Sequence, residues 1–414
     1  MKLKKLNLRY YPPGIFQYTV FIFYIFFERR RKKYTKSLRE LASNIMLKEP
    51  LISPNLTEIL IKALSKLQQR LCDATKKTFV KHQTIKAHLL PLTNVCFDKE
   101  GGRCLTGSYD RLCKVWNVDD GQVITTLEGH QNVVYSVAFN NPLSDRALTG
   151  SFDKTAKLWN VFTGDCLVTF WGHTAEVVGA QFNPSKETVA TISMDSTARV
   201  FDVITGQELA TLLGHDGEVV ALDFSSSGSH LITGSFDSKI LLWDTRTKKC
   251  EGAFKGHSEE ISNCLFSFNA ALIASSSMDK TVKLWDVRMM NCVHTINTHS
   301  DEVLDIAFNA KGTHLATASS DASARIFNMT NGDFVEEAVF SGHSGEVSKV
   351  CFHPAGSLVL TASQDTTCRL WDTATNDCLQ ILDGHSDEVF SCAFSYYGDS
   401  VVTASKDNSL IIWR

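Results

Sequence analysis

The sequence predicts an all-β protein built from eight tandem units of four short strands each, with a small α-helical module in front of them. Three observations predict it. A histidine recurs every 42 to 44 residues from His88 to His385. A Ser-x-Asp follows each of these histidines by 20 or 21 residues, and an aromatic residue stands six positions after each Asp. Between these landmarks lie short runs with a period of two, broken by turn residues, which is the pattern of small antiparallel sheets. Self-similarity at such a period decides the fold class before any local assignment is made.

In chain order, the first unit carries His88, Ser108, Asp110 and Trp116, and the second His130, Ser151, Asp153 and Trp159. The third has His173, Ser193, Asp195 and Phe201; the fourth His215, Ser235, Asp237 and Trp243. The fifth has His257, Ser277, Asp279 and Trp285; the sixth His299, Ser319, Asp321 and Phe327. The seventh has His343, Ser363, Asp365 and Trp371, and the eighth His385, Ser405, Asp407 and Trp413. In the seventh unit the strand-like runs are VSKVCF, LVLTAS, TCRLW and CLQIL, separated by HPAGS, QD and DTATND.

This period, with its GH-to-WD framing, resembles the WD-repeat family from about residue 78 to the end. The resemblance implies an eight-bladed β-propeller over residues 78–414, one four-stranded blade per repeat around a central channel. It also implies that the His, Ser, Asp and Trp of each repeat form a hydrogen-bonded network tying the inner strands to the loop that leads into the blade. Buried polar groups that satisfy one another rigidify a fold. Phe201 and Phe327 keep the apolar bulk but lack an indole N–H, so their blades are expected to be one hydrogen bond short, on the order of 1 kcal/mol each.

The last unit stops one residue after Trp413, where the other units continue into a further strand. The stretch TFVKHQTIKAH, residues 78 to 88, has the layout of that missing strand and its loop, as a comparison with CLVTFWGH and CLQILDGH shows. The segment around 79–85 is therefore expected to complete the eighth blade, removing an unpaired edge that would invite aggregation.

Residues 1–77 read as a basic region with one or two amphipathic helices. In SPNLTEILIKALSKLQQRLC, the residues Leu56, Ile59, Leu60, Ala63, Leu64, Leu67 and Leu71 share a helical face. Asn55 and Glu58 resemble a capping box, and Leu38, Leu41 and Ile45 suggest an earlier helix. The apolar run Ile15 to Phe27 is shorter than the ~20 residues a bilayer span needs. The basic run Arg29 to Lys33 behind it reads as a solvated linker, so no membrane attachment is expected.

Charge is split along the chain: residues 1–84 carry 18 Lys and Arg against 5 Asp and Glu, and the remainder 24 against 40. A uniformly basic nucleic-acid binder is excluded on that ground, because phosphate contacts need a basic face. Among twelve cysteines there is no C-x-x-C pair, which excludes a zinc ribbon or thioredoxin-type site. Cys166, Cys250, Cys292 and Cys378 open one kind of strand, whereas Cys96, Cys264, Cys351 and Cys392 shortly precede a Phe in another. Both sets read as small buried hydrophobes, which suits a reducing compartment.

A Ser, a His and an Asp in every unit invite a hydrolase reading. Eight copies argue for scaffold instead, since catalysis needs one pre-organised site. No G-x-S-x-G elbow, P-loop, H-E-x-x-H or dinucleotide fingerprint is present, and neither an enzyme, a cofactor nor a metal is expected. Binding then falls to the loops. Three residues after the His, six repeats place an acid: Glu176, Glu218, Glu260, Glu302, Glu346 and Glu388. These are expected to form a broken ring at one mouth of the channel, with an apolar gap at Pro91 and Val133, and to attract a basic partner segment. The alternative is that each Glu caps its loop through backbone amides.

Three stretches narrow the resemblance: MKLKKLNLRYYPPG, KAHLLPLTNVCFDKEGGRCLTGSYDRLCKVWN and LEGHQNVVYSVAFNNP. With the eight-repeat count they resemble the dynein assembly factors with WD repeats, also called outer row dynein assembly proteins. Residues 15–33 depart from that family, which has polar, mixed-charge sequence there. The resemblance implies a non-enzymatic cargo adaptor that couples preassembled outer-arm axonemal dynein to intraflagellar transport. The implied partners are the outer-arm dynein complex and subunits of intraflagellar transport complex B. The implied locations are the cytoplasm, the cilium or flagellum and the basal body region. Two other readings stand beside it. WDTR at Trp243 to Arg246 and WDVR at Trp285 to Arg288 resemble the box of substrate receptors for cullin-RING ubiquitin ligases, and a general cytosolic scaffold needs no ciliary role.

Overall fold

The computed structural model describes residues 78–414 apart from Lys186 and Asp333. The helices, the apolar run and the basic run expected before residue 78 lie outside the described residues. Eight four-stranded antiparallel sheets account for the described chain. In the second of them, Val134–Phe139, Arg146–Ser151, Ala156–Asn160 and Cys166–Phe170 pair in that order. The second strand, RALTGS, is buried along almost its whole length, because it has a partner strand on each edge and other sheets against its faces. The fourth strand, CLVTF, exposes its first residues and buries only Phe170.

The first strand of each sheet touches the first strand of the next, and Val389–Phe394 returns to Leu92–Phe97, so the sheets close into a ring as the blades of a β-propeller. The Ser391 hydroxyl lies 3.1 Å from Asn94 Oδ1 across that junction. The core lies between blades rather than at one centre. One cluster, for instance, joins Ala190, Ile192 and Val200 of the third blade to Val219, Leu231 and Trp243 of the fourth. Full burial of a Val, Leu or Ile side chain contributes about 1.5–3 kcal/mol.

The eighth blade is completed from the other end of the described chain. Lys81–Lys86 pairs antiparallel with Ser409–Trp413, from Lys81 opposite Trp413 to Lys86 opposite Ser409. Val80 and Arg414 exchange both backbone hydrogen bonds, at 2.6 and 2.8 Å. Phe79 is fully buried among Leu358, Leu370, Val401 and Trp413, and its backbone is held at both ends by the Gln380 amide, at 2.8 and 2.5 Å. The closing strand is thus anchored in the seventh blade as well as the eighth.

Two sequence expectations about cysteine separate here. Cys264 and Cys392 are buried, and Cys96 and Cys351 half-buried, as small apolar side chains. Cys166, Cys250, Cys292 and Cys378 are exposed instead, because they lie at or next to the start of the outermost strands, whose outer edges have no neighbour among the described residues. Their thiols lie 3.4–3.8 Å from the carbonyl two residues ahead.

Candidate functional site

Each blade contains the same chain of hydrogen bonds, with a hydroxyl at its hub that the sequence reading, which names the serine of each Ser-x-Asp, does not single out. The histidine Nδ1 lies 2.7–3.1 Å from the carboxylate Oδ2 of Asp110, Asp153, Asp195, Asp237, Asp279, Asp321, Asp365 or Asp407. Its Nε2 lies 2.7–2.8 Å from a different hydroxyl, two residues before that serine: Thr106, Thr149, Thr191, Thr233, Ser275, Thr317, Thr361 or Thr403. In six blades the indole N–H of Trp116, Trp159, Trp243, Trp285, Trp371 or Trp413 donates to that same hydroxyl at 2.8–3.1 Å.

The Ser-x-Asp serines bond to the Asp and the incoming loop rather than to the imidazole. Ser108, Ser151, Ser193, Ser235, Ser277, Ser319, Ser363 and Ser405 each accept the amide of their Asp at 3.0–3.2 Å. Ser108 and Ser363 also donate to the carbonyls of Leu90 and Gly345 in the incoming loop. The threonine and the serine are two residues apart and so share a strand face, and periodicity alone does not choose between them. The signal that was available is a Thr or Ser at the earlier position in all eight repeats.

A neutral imidazole satisfies the donor inventory. An indole N–H only donates and an ionised carboxylate only accepts. With Nδ1–H donating to Asp, the hydroxyl accepts the indole N–H and donates its own proton to Nε2, so every group in the chain is matched. Burial lowers the pKa of His88, His215, His257 and His343 in the same direction, against the opposing pull of their Asp partners. Burial alone would raise Asp279, but hydrogen bonds from the Thr281 hydroxyl, the Ser258 amide and His257 bring it down to about 2. In the third and sixth blades Phe201 and Phe327 fill the aromatic position, both buried, and the Thr191 and Thr317 hydroxyls meet only the imidazole. In seven blades the imidazole nitrogen a hydrolase would aim at serine meets a threonine hydroxyl instead, and in the fifth it meets Ser275, which is buried and also accepts the Trp285 indole N–H.

These networks place two loops side by side at one end of each blade. The amide of the residue after each serine donates to the backbone carbonyl three residues after the histidine, at 2.9–3.0 Å. The pairs so formed are Tyr109 with Pro91, Phe152 with Val133, Met194 with Glu176, Phe236 with Glu218, Met278 with Glu260, Ser320 with Glu302, Gln364 with Glu346 and Lys406 with Glu388. It is the carbonyl of each Glu that holds the loop. The amides of Glu302 and Glu388 are in turn capped by Asp301 and Asp387. Two of the six carboxylates are engaged within their own blade: Glu346 accepts from Gln364 Nε2 at 2.8 Å, and Glu388 pairs with Lys406 at 3.3 Å. Glu218, Glu260 and Glu302 are exposed and Glu176 is half-buried.

Arg246 and Arg288 sit in the turns between third and fourth strands, where their amides donate to Asp244 and Asp286 at 2.6 and 2.8 Å and their side chains are exposed. Among the described residues there is no group of three or more His, Cys, Asp or Glu disposed to hold a metal. Nor, among them, is any helix long and apolar enough to cross a membrane.

Closed blades, each with a His–Asp pair, a hydroxyl hub and a Trp or Phe, define a class of protein: the chain belongs to the WD domain, G-beta repeat family. That family's model matches eight times, at residues 79–117, 121–160, 164–202, 206–244, 248–286, 290–328, 334–372 and 376–414. Within it, the chain is similar to the human protein named dynein assembly factor with WD repeat domains 1, 50% identical over 200 residues, which is 46% of each chain. The mouse protein of that name is 49% identical over 200 residues, again 46% of each, and the Xenopus laevis one 49% over 195, or 44% of this chain and 45% of that one. The matched stretch is therefore less than half the length of these relatives. Among solved structures, a computationally designed protein, Ika8, superposes with a TM-score of 0.71 at 26% identity, covering 80% of this chain and 99% of that one.

Proposed function

We propose that this protein is a non-enzymatic adaptor in dynein assembly, coupling preassembled outer-arm axonemal dynein to intraflagellar transport complex B for delivery into cilia. The observation that carries the reading is the roughly 50% identity to relatives named dynein assembly factors. The blade chemistry is consistent with it. The His, Asp, hydroxyl and Trp groups that could have served catalysis are engaged in holding the blades together, which leaves loops and outer edges for partners. The carboxylate mouth and the segment before residue 78 are the two candidate docking surfaces, and the cytoplasm, basal body region and cilium are where the adaptor would act.

The test is a quantitative pull-down from ciliated-cell cytoplasm with the full chain as bait, scoring outer-arm dynein and complex B subunits in one eluate. Recovery of both supports the adaptor. Recovery of neither by a folded bait rejects it, and capture of a cullin adaptor that depends on Arg246 and Arg288 would move the chain to the ubiquitin-ligase receptors.

A further inference from the structure

The eight paired loop positions at the carboxylate mouth are not equivalent, and their differences follow the ring. In the first two blades both members are apolar: Pro91 with Tyr109, Val133 with Phe152. In the next three an acid stands beside a bulky apolar side chain: Glu176 with Met194, Glu218 with Phe236, Glu260 with Met278. In the last three the neighbour is Ser320, Gln364 or Lys406, and two of the acids are already bonded to it. The repeats serve as one another's control, because the backbone hydrogen bond that sets the geometry is the same in all eight.

Side chains that the core does not need are exposed along the first arc. Tyr109 is 42% exposed and Tyr135 43%, with Tyr135 stacked on Phe152 at a centroid distance of 5.3 Å and 23° between planes. Phe236 is 38% exposed. Exposed aromatic residues beside unpaired carboxylates suit a ligand that is both apolar and cationic, and an acidic rim repels phosphate, which disfavours nucleic acid and anionic lipid. Thioether side chains such as Met194 and Met278 adapt to differing apolar partners.

We infer that blades one to five form a docking arc for a partner-protein segment in which Lys or Arg alternates with bulky apolar residues. Its cations lie over Glu176, Glu218 and Glu260, and its apolar side chains lie against Tyr109, Tyr135 and Phe236. Blades seven and eight take no part, because Glu346 and Glu388 are held by Gln364 and Lys406, and blade six sets Glu302 beside the small polar Ser320 rather than a bulky apolar side chain. This deepens the adaptor reading by naming the chemistry of one partner segment, and it rests on that reading for its biological setting only.

The experiment is fluorescence-anisotropy titration of the full chain with a short synthetic peptide alternating Arg with Leu and Phe. Two control peptides replace Arg by Glu or the apolar residues by Ser. The parent peptide is expected to bind at least about tenfold tighter than either control. The triple variant Glu176→Gln, Glu218→Gln, Glu260→Gln should lose about tenfold, and Tyr135→Ser with Phe236→Ser a similar amount. The double variant Glu346→Gln, Glu388→Gln should bind like the parent, and thermal melts should show every variant folded. Equal loss in the triple and double variants, or no preference for the parent peptide, overturns the inference. The same variants in the pull-down separate the two claims. Dynein and transport subunits recovered equally by parent and triple variant would sink the docking arc and spare the adaptor, whereas no recovery by the parent would sink the adaptor and leave the titration to decide the arc.

Discussion

Replacing the hub hydroxyl in one Trp blade and in one Phe blade isolates what the network contributes. In Thr149→Val the new methyl occupies the space of the hydroxyl, in a position that is fully buried, so packing is nearly kept. Two buried groups then lose their partner: the Trp159 indole N–H, now 2.8 Å from the Thr149 oxygen, and the His130 Nε2, now at 2.7 Å. Leaving a buried polar group unpaired costs about 1–3 kcal/mol, so this substitution should cost about 2–6 kcal/mol. Thr191→Val in the third blade strands only His173 Nε2, because Phe201 makes no such bond, and should cost about 1–3 kcal/mol. Urea unfolding of both variants and the parent gives the comparison, with an unchanged slope showing that only stability moved. Equal costs, or a cost below about 0.5 kcal/mol in the Trp blade, would refute the hub assignment.

Phe79→Ala should destabilise by about 3–5 kcal/mol, since Phe79 is fully buried between the last two blades, and deletion of residues 78–86 should make the propeller insoluble or sharply lower its melting point. Unchanged melting after the deletion would contradict closure by the segment at 81–86. Burial raises Asp223 to about 7, although its carboxylate accepts the Phe266 amide at 2.8 Å. Its folded pKa lies above the unfolded value, so the folded state loses stability as pH rises through about 7. Asp223→Asn should therefore raise stability by about 2–4 kcal/mol at pH 8, with the gain shrinking by pH 5, as paired melts would show. The histidines act with the opposite sign. Burial lowers His88, His173, His215, His257, His299 and His343 from 6.5, so below that pH the unfolded chain takes up protons that the folded chain refuses. In the Asp223→Asn background, which removes that opposing titration, the urea midpoint should fall steadily from pH 6.5 towards pH 5, and a flat profile would mean that these imidazoles are charged in the native blades.

Much of this fold was legible in the sequence because the repeat states it eight times. The period, the aromatic after each Asp and the outer strand missing after Trp413 follow from comparing the units with one another, and the strand at Lys81–Lys86 lies where that comparison points. What stayed illegible depends on contacts across the fold. Thr149 and Ser151 share one strand face, and only the placement of the incoming loop shows which of them meets His130. Cys166 and Cys264 both begin or interrupt apolar runs, yet one lies on an outer strand and the other on an inner one. Six acids look equivalent at the same offset, but Glu346 and Glu388 are engaged by residues eighteen positions further on. Which carboxylates are free is therefore a property of pairs of loops.

Delivery of outer-arm dynein is the role proposed for this propeller. Its most direct test is to count outer arms by electron tomography along axonemes of ciliated cells lacking the chain, with outer-arm dynein in the cytoplasm quantified from the same cells. The account predicts axonemes depleted of outer arms, retained cytoplasmic dynein, and rescue by the full chain. Fully occupied outer-arm positions in cells lacking the chain would contradict it.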